Sequence, residues 1–223
     1  MRARQSTADG TLAAVHADIA RYYAERVRRY GSTPRGVDWT CIASQELRFV
    51  QLMKLCDFTV PFSLNDVGCG YGALVGYLAM RHGNAEINYL GIDLIDAMVR
   101  RARRLWRAHN WAAFVARKAS PRTSDFSVAS GIFNVKLDQP RHRWERFVAL
   151  TLEDMHATSR KGFAVNLMLA RSQSSRDRRS RGLYRSLPEK WIRHCEREFG
   201  SSVAILDGYG QQEFTLLARR RDP

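Results

Sequence analysis

The sequence predicts an α/β fold, in which helices cover both faces of a doubly wound, mostly parallel sheet. Short apolar segments alternate with amphipathic helical segments between residues 61 and 199, and this alternation is typical of parallel strands joined by helices. The last two apolar segments, Val203–Leu206 and Glu213–Ala218, are joined by a short loop without a helix. Because parallel strands need a long crossover, this final pair is predicted to be antiparallel.

Two helices are predicted ahead of the sheet, at residues 12–30 and 44–56, where apolar residues recur at helical spacing. We expect residues 1–60 to form a helical cap over a ligand cleft and residues 61–223 to form the α/β core. A chain of 223 residues suits a single domain with a sizeable buried core, so both parts are assigned to one domain, 1–223.

Seven strands and four further helices are predicted from the period of the apolar residues. The predicted strands are, in order, the segment that follows Pro61 and ends at Val67, then 87–92, 113–116, 126–133 with its exit, 162–167, 203–206 and 213–218. The predicted helices are 73–81, 96–108, 144–156 and 188–199. Pro188 suits the first turn of the last helix, where its missing N–H costs nothing.

The most informative segment is Leu64–Gly72, which reads as a strand, a glycine loop and the start of a helix. Gly68, Gly70 and Gly72 allow a sharp turn and a close approach of backbone N–H groups to a ligand. Asp93 ends the second predicted strand, 21 residues after Gly72. An acid at that position is placed to accept hydrogen bonds from a ribose. The sequence therefore predicts a Rossmann-like sheet that binds a nucleoside-containing cofactor.

The residues before the glycines help to choose the cofactor. The loop also fits the dinucleotide pattern G-x-G-x-x-G/A, with Ala73 in the last position. However, a strand buried on both faces is normally apolar, and here Asn65 and Asp66 interrupt it. A carboxylate at this point would repel a pyrophosphate and would suit a cofactor that carries a cationic amino group and a sulfonium.

This segment resembles the first motif, D/E-x-G-x-G-x-G, of the class I S-adenosylmethionine-dependent methyltransferases, which Asp66, Gly68, Gly70 and Gly72 match in full. The resemblance covers residues 60–220. It implies a cytoplasmic methyltransferase that uses S-adenosyl-L-methionine, releases S-adenosyl-L-homocysteine and has a sheet that ends in an antiparallel pair. Gly36–Trp39, Ser44–Phe49 and Ser130–Val135 are also similar to a small bacterial subgroup of this family for which no substrate is assigned.

The resemblance implies a set of cofactor-binding residues. Asp93 would bind the ribose hydroxyls, Leu94 would flank the adenine, and the exit of the fourth strand would face the reactive methyl. The full predicted set is Asp66, Gly68, Cys69, Gly70, Gly72, Asp93, Leu94, Ser130, Gly131, Trp39 and Arg48. Within it, Cys69 is interpreted as a small filler of the loop and not as a nucleophile.

One position departs from the family pattern. Many relatives have an acid after the third strand, near the adenine amino group, whereas this chain reads Ala116-Arg117-Lys118-Ala119-Ser120. Adenine recognition would then use backbone groups or Ser120.

Two cap residues have a functional and a structural interpretation. Trp39 could close over the methyl donor, because an aromatic face attracts a sulfonium cation. Arg48 could pair with the methionine carboxylate. In both cases a capping segment docked on the sheet is an equally good explanation.

The acceptor site is less well defined by the sequence. Arg171, Tyr184, Tyr209 and Asn134 are the substrate-binding candidates, and Arg171 begins an arginine- and serine-rich segment that runs to Arg185. This segment could close over an anionic substrate, could contact RNA or could simply be solvated. Asn134 could equally be a turn former. His142, His156 and Asn134 are weak catalytic candidates, and surface positions are the simpler interpretation for both histidines.

Composition limits the remaining possibilities. The net charge is +14, and 31 of the 36 basic residues are arginines, which fits either an anionic partner or arginine-rich solvated surfaces. The four cysteines are scattered, which argues against a zinc site and fits a reducing cytoplasm. No segment reads as a secretory signal or a membrane span.

Three functions follow from these observations. The preferred prediction is O- or N-methylation of a small, anionic metabolite. The alternatives are a tRNA or rRNA methyltransferase that uses the basic surface, and a non-catalytic binding subunit with a methyltransferase fold.

Overall fold

The computed structural model describes residues 2–31, 33, 36, 41–170 and 182–221, with side chains from residue 12 onward. Its helices are α1 (Arg2–Tyr30), α2 (Ile42–Met53), α3 (Ala73–Arg81), α4 (Asp96–Leu105), α5 (Arg141–Ala157) and α6 (Pro188–Phe199). Its strands are β1 (Phe62–Val67), β2 (Ile87–Asp93), β3 (Ala112–Ala116), β4 (Ser124–Ala129), β5 (Ser159–Leu169), β6 (Arg185–Ser186), β7 (Ser202–Leu206) and β8 (Glu213–Arg219).

One mixed sheet organises these strands in the order β3-β2-β1-β4-β5-β8-β7. Strands β1 to β5 are parallel, whereas β8 runs antiparallel to both β5 and β7. The predicted mostly parallel sheet with an antiparallel C-terminal pair is therefore confirmed. The two-residue strand β6, which pairs with the end of β5, is an addition. It is too short to leave a periodic pattern in the sequence.

Helices cover both faces of the sheet, as a doubly wound fold requires. One apolar core lies under α2, α3 and α4, and the other lies under α1, α5 and α6. Strand β5 contributes to both cores, because Ala164 faces the first core while Phe163 and Val165 face the second. Trp144 and Trp191 are the largest fully buried side chains, and both belong to the second core.

Helix α4 ends at Leu105 although the apolar pattern extends the predicted helix to residue 108. The reason is Trp106, whose backbone angles are no longer helical. Its indole N–H donates to the carbonyl of Tyr71 at 2.9 Å. Trp106 thereby packs the end of α4 onto the start of α3. Among the described residues, no helix is long and apolar enough to cross a membrane.

Asn65, the polar residue that interrupts β1, is fully buried but has hydrogen-bond partners. Its amide donates to the carbonyl of Arg122 at 3.1 Å, and its oxygen accepts from Arg122 Nε at 3.0 Å. Asn65 therefore ties β1 to the loop before β4. The next residue, Asp66, instead lines a cavity at the edge of the sheet.

Candidate active site

A cavity of about 1070 Å³, counted with its open mouth, lies at the carboxyl ends of β1, β2 and β4. Ligands bind at this edge of open α/β sheets. The strand ends and the glycine loop contribute Asp66, Gly68, Cys69, Gly70, Tyr71, Asp93, Leu94, Ser130 and Gly131. The helices contribute His16, Ile19 and Tyr23 from α1, Gln45 and Phe49 from α2, and Phe147 and Thr151 from α5. The structure thus brings together most of the predicted cofactor residues.

The glycine loop holds a backbone shape that other residues adopt only with strain. Gly68, Gly70 and Gly72 have φ angles of +75°, +55° and +80°. A side chain at Gly68 would start 2.2 Å from Ile132 Cγ2. The loop is also fastened to β2, because the Gly68 N–H donates to the carbonyl of Ile92 at 2.7 Å. Its backbone therefore stays close to the cavity.

Gly72 is packed against aromatic side chains, whereas the sequence predicted that it would contact the cofactor. It does not line the cavity. A Cβ atom at Gly72 would lie 2.7 Å from Trp106 Nε1 and 2.9 Å from Phe114 Cε1. The third glycine of the motif is therefore required by the aromatic side chains of α4 and β3.

Asp66 is 4% exposed and lines the cavity at the end of β1. The Tyr89 hydroxyl donates to Asp66 Oδ2 at 2.6 Å. Burial raises the pKa of Asp66 to about 7, in spite of that hydrogen bond, and the nearby charge of Asp93 adds to the rise. In the described part of the chain, no basic side chain forms an ion pair with Asp66.

Asp93 holds the opposite side of the glycine loop. Its carboxylate accepts from the N–H of Gly70 and from the N–H of Ile95, both at 2.8 Å. Burial raises the pKa of Asp93, while these backbone donors oppose the rise. Like Asp66, it has no basic partner among the described residues, and both carboxylates retain acceptor capacity toward the cavity.

These features fit a cationic, ribose-containing cofactor. Two buried acids without a counter-charge favour a ligand with a positive group. The side-chain oxygen of Ser130, which also lines the cavity, is buried and has no hydrogen-bond partner. Nowhere in the described ranges do three His, Cys, Asp or Glu side chains form a group suited to a metal ion.

Cys69 lies within the loop, and burial raises the pKa of its thiol well above the usual range. A protonated thiol is a poor nucleophile. Its sulfur lies where a side chain on Gly91 would clash, 2.8 Å from the ideal Cβ position. The contacts of Cys69 are therefore those of a small packing residue.

Arg48 is placed away from the cavity. It is 6% exposed, and its Nε and Nη2 atoms donate to the two carboxylate oxygens of Glu213 at 2.5 and 2.7 Å. Its Nη1 atom donates to the carbonyl of Ser44 at 2.6 Å. Arg48 therefore joins α2 to the start of β8, which corresponds to the docked-cap interpretation and not to the predicted contact with the cofactor carboxylate.

Asn134 contacts the Arg48–Glu213 pair and does not line the cavity. Its amide donates to Glu213 Oε1 at 3.1 Å, and its backbone N–H donates to the carbonyl of Gly131 at 3.3 Å. The second bond closes a turn after β4, so the structure favours the turn-former interpretation. A direct role of Asn134 in binding or catalysis has no support in this geometry.

The two tyrosines predicted to bind substrate are placed elsewhere. Tyr184 is 1% exposed, and its hydroxyl donates to Glu145 Oε1 at 3.2 Å. Tyr209 lies in the loop between β7 and β8, and its hydroxyl is 3.1 Å from Oγ1 of Thr215 in β8. Neither lines the cavity. Trp39 and Arg171 lie outside the described residues.

The histidine that lines the cavity is not one of the two that the sequence predicted. His142 is exposed on α5, and His156 stacks on Phe199 with ring centroids 4.6 Å apart, so neither reaches the cavity. His16 of α1 does line it, and sequence reasoning did not select this residue. The available signal was its spacing, since His16, Ile19 and Tyr23 follow at i, i+3 and i+7 on one helix face.

Comparison with known proteins relates this fold and site to one enzyme class. No family model matches the chain. A protein of Mycobacterium tuberculosis (strain ATCC 25618 / H37Rv) with the name "Putative methyltransferase Rv1506c" is 39% identical over 168 residues, which is 75% of this chain and 99% of that protein.

Solved structures of methyltransferases share the fold. Magnesium protoporphyrin IX methyltransferase from Synechocystis PCC 6803, with bound S-adenosylhomocysteine, matches with a TM-score of 0.63 and 14% identity over 94% of this chain and 99% of its own. Human N-acetylserotonin methyltransferase, in complex with S-adenosylmethionine, matches with a TM-score of 0.63 and 16% identity. That alignment covers 93% of this chain and 59% of the human enzyme.

Proposed function

Because the chain belongs to the class I S-adenosylmethionine-dependent methyltransferases, we propose that it methylates an oxygen or nitrogen atom of a small molecule. The observation that carries this proposal is that helices line the cavity together with the strand ends. His16, Ile19 and Tyr23 of α1 and Gln45 and Phe49 of α2 contribute to this lining. A small acceptor fits inside such a cavity, whereas a polymer would need a wider opening.

Each end of the cofactor has a partner in this proposal. When bound, S-adenosylmethionine supplies a methyl group that is already activated by its sulfonium. Asp66 binds the cationic amino group, and Asp93 accepts hydrogen bonds from the ribose. The glycine loop allows the close backbone approach, and Ser130 offers its unpartnered hydroxyl at the exit of β4.

Positioning supplies most of the catalysis in this proposal. Holding two reactants in line can contribute roughly 7–11 kcal/mol of the barrier. Phe49 and Tyr71, with Tyr23, present aromatic surface to the acceptor and exclude water. A neutral amine needs no general base for methylation, whereas a hydroxyl acceptor would need one.

The anionic character of the acceptor rests on the arginine-rich segment 171–185. The structure describes only residues 182–185 of it. Arg185 donates to the carbonyl of Leu169 at 3.3 Å, so its guanidinium contacts the end of β5. The preference for an anion is therefore a prediction from the sequence, and it is tested by the chemistry of the acceptor itself.

Transfer of a labelled methyl group tests the proposal directly. The protein is incubated with methyl-tritiated S-adenosylmethionine and either small-molecule extract or bulk tRNA and rRNA. We expect label in the small-molecule fraction, retained on anion exchange, and none with Asp93→Ala. Label in RNA would instead support the alternative that the +14 net charge motivates. Absence of label from both fractions would contradict the proposal.

A further inference from the structure

The end of the cavity next to β3 is the place for the adenine base in the proposed binding mode. Asp66 is the penultimate residue of β1 and Asp93 is the last residue of β2, and β2 lies between β1 and β3 in the sheet. With the amino group at Asp66 and the ribose at Asp93, the base extends further toward β3. Leu94 and Lys118 line the cavity there.

The strand end itself offers this base no carboxylate. The residues after β3 are Arg117, Lys118, Ala119 and Ser120. Ser120 does not line the cavity, and its N–H donates to Asp154 Oδ2 at 3.1 Å. Arg117 and Lys118 line the cavity but can only donate hydrogen bonds, so a side-chain acceptor for the adenine amine must come from the helices that close this end.

His16 and Tyr23 of α1 and Thr151 of α5 are the side chains with polar atoms that these helices contribute to the cavity, and His16 and Thr151 carry the argument here. The His16 ring lies edge-on to Phe147, with centroids 5.6 Å apart, and the charge of Lys118 acts on it. His16 therefore packs against α5 and lines the same cavity as Lys118, the second residue after β3. Its ring forms no hydrogen bond with any residue that the structure describes.

The chemistry of His16 suits a purine edge. Burial and, to a smaller extent, Lys118 lower the pKa of His16, so the ring is neutral at pH 7. A neutral imidazole has one donor N–H and one acceptor nitrogen. Thr151 donates its hydroxyl hydrogen to the carbonyl of Phe147 at 2.9 Å and keeps its own acceptor capacity. The exocyclic amine of adenine carries two N–H donors, and the acceptor nitrogen of His16 and the hydroxyl oxygen of Thr151 can each accept one of them.

We propose that His16, supported by Thr151, forms the adenine-recognition subsite, in which the imidazole accepts a hydrogen bond from the exocyclic amine. This inference rests on the proposed mode of cofactor binding. The cap helix then takes part in cofactor recognition, in addition to covering the acceptor. It also supplies the acceptor group that is missing after β3.

Binding calorimetry with two nucleosides tests the proposal. S-adenosylhomocysteine is compared with S-inosylhomocysteine, in which a carbonyl replaces the amine. We expect the native protein to prefer the adenosyl compound by roughly tenfold or more, because the inosyl compound leaves a buried acceptor unpaired. His16→Ala should abolish this preference, chiefly through weaker binding of S-adenosylhomocysteine. His16→Gln, which keeps a donor and an acceptor, should restore part of it.

His156→Ala is the matched control, because His156 stacks on Phe199 away from the cavity and should keep the native preference. If His16→Ala kept the preference, or weakened both compounds equally, His16 would be a packing residue and the proposal would be overturned. The readout is binding, so it is independent of methyl transfer. A protein that shows the preference but methylates no small molecule would contradict only the proposed acceptor.

Discussion

Glu213 and Asp66 are both buried acids at the same edge of the sheet, each 4% exposed, but their surroundings differ in charge. Glu213 receives two hydrogen bonds from Arg48 and one from Asn134. Asp66 receives one hydroxyl hydrogen bond from Tyr89 and has no basic partner among the described residues. A compensated acid holds α2 to the sheet, whereas an uncompensated acid leaves free energy to be gained from a cationic ligand.

The largest expected effect is on stability, at the compensated site. Arg48→Met should lower the free energy of unfolding by about 3–5 kcal/mol, because it leaves Glu213 buried without a counter-charge. Urea unfolding measures this loss. The double variant Arg48→Met/Glu213→Leu should recover much of it, since no buried charge remains. A single variant as stable as the native protein would contradict the structural role of the pair.

The next effect is on cofactor binding. Asp93→Ala should weaken S-adenosylmethionine by about 3 kcal/mol, or more than 100-fold, because hydrogen bonds to a charged group contribute about 1.5–3 kcal/mol each. Calorimetry measures the affinity. The double variant Arg48→Met/Glu213→Leu serves as the control, since it changes the other acidic region without leaving a buried charge unpaired. If both variants lost the cofactor equally, the two acidic regions would not differ in function.

Asp66→Asn should separate binding from stability. We expect it to weaken S-adenosylmethionine by about tenfold, since the amide cannot pair with the cationic amino group. Its free energy of unfolding should not fall at pH 8, because an amide has no charge to desolvate and still accepts the Tyr89 hydrogen bond. The two quantities are measured by calorimetry and by urea unfolding. A large loss of stability would show that the Asp66 carboxylate is structural.

The smallest effect is a pH dependence that comes from the pKa of Asp66, near 7. Only the carboxylate attracts a cation, so the affinity for S-adenosylmethionine should rise as the pH rises through 7 and level off about one pH unit above that pKa. The folded-state pKa lies above the unfolded value, so the contribution of Asp66 to stability is present below about pH 4 and is lost as the pH rises through 7. Both slopes should become smaller in Asp66→Asn, and the part that remains comes from other groups with shifted pKa values, such as Asp93. An affinity that is flat with pH in the native protein would contradict this account of Asp66.

Local patterns were reliable where a single segment carries the information. Helices 73–81 and 188–199 have their predicted bounds, and the antiparallel end of the sheet follows from one short loop. The glycine loop was recognisable because its backbone shape needs glycine at fixed positions. Gly72 is the exception in role, since its need for glycine comes from Trp106, which lies 34 residues later.

Contacts between distant segments explain why some of the predicted site residues do not line the cavity. Arg48 and Glu213 are 165 residues apart, and nothing near Arg48 in the chain reveals that a buried carboxylate will meet it. His16 reaches the cavity only because α1 packs along α5, where Val15 and Phe147 share one core. Its spacing predicted an apolar helix face but not what that face would cover.

Fold class, cofactor chemistry and the positions of Asp66 and Asp93 follow from the chain alone, because they depend on hydrophobic period, glycine geometry and spacing within one βαβ unit. The packing of α1 and α2 on the sheet determines which polar residues face the ligand and which pair with each other. Such pairing depends on distances between segments far apart in sequence, and these distances exist only in the folded molecule.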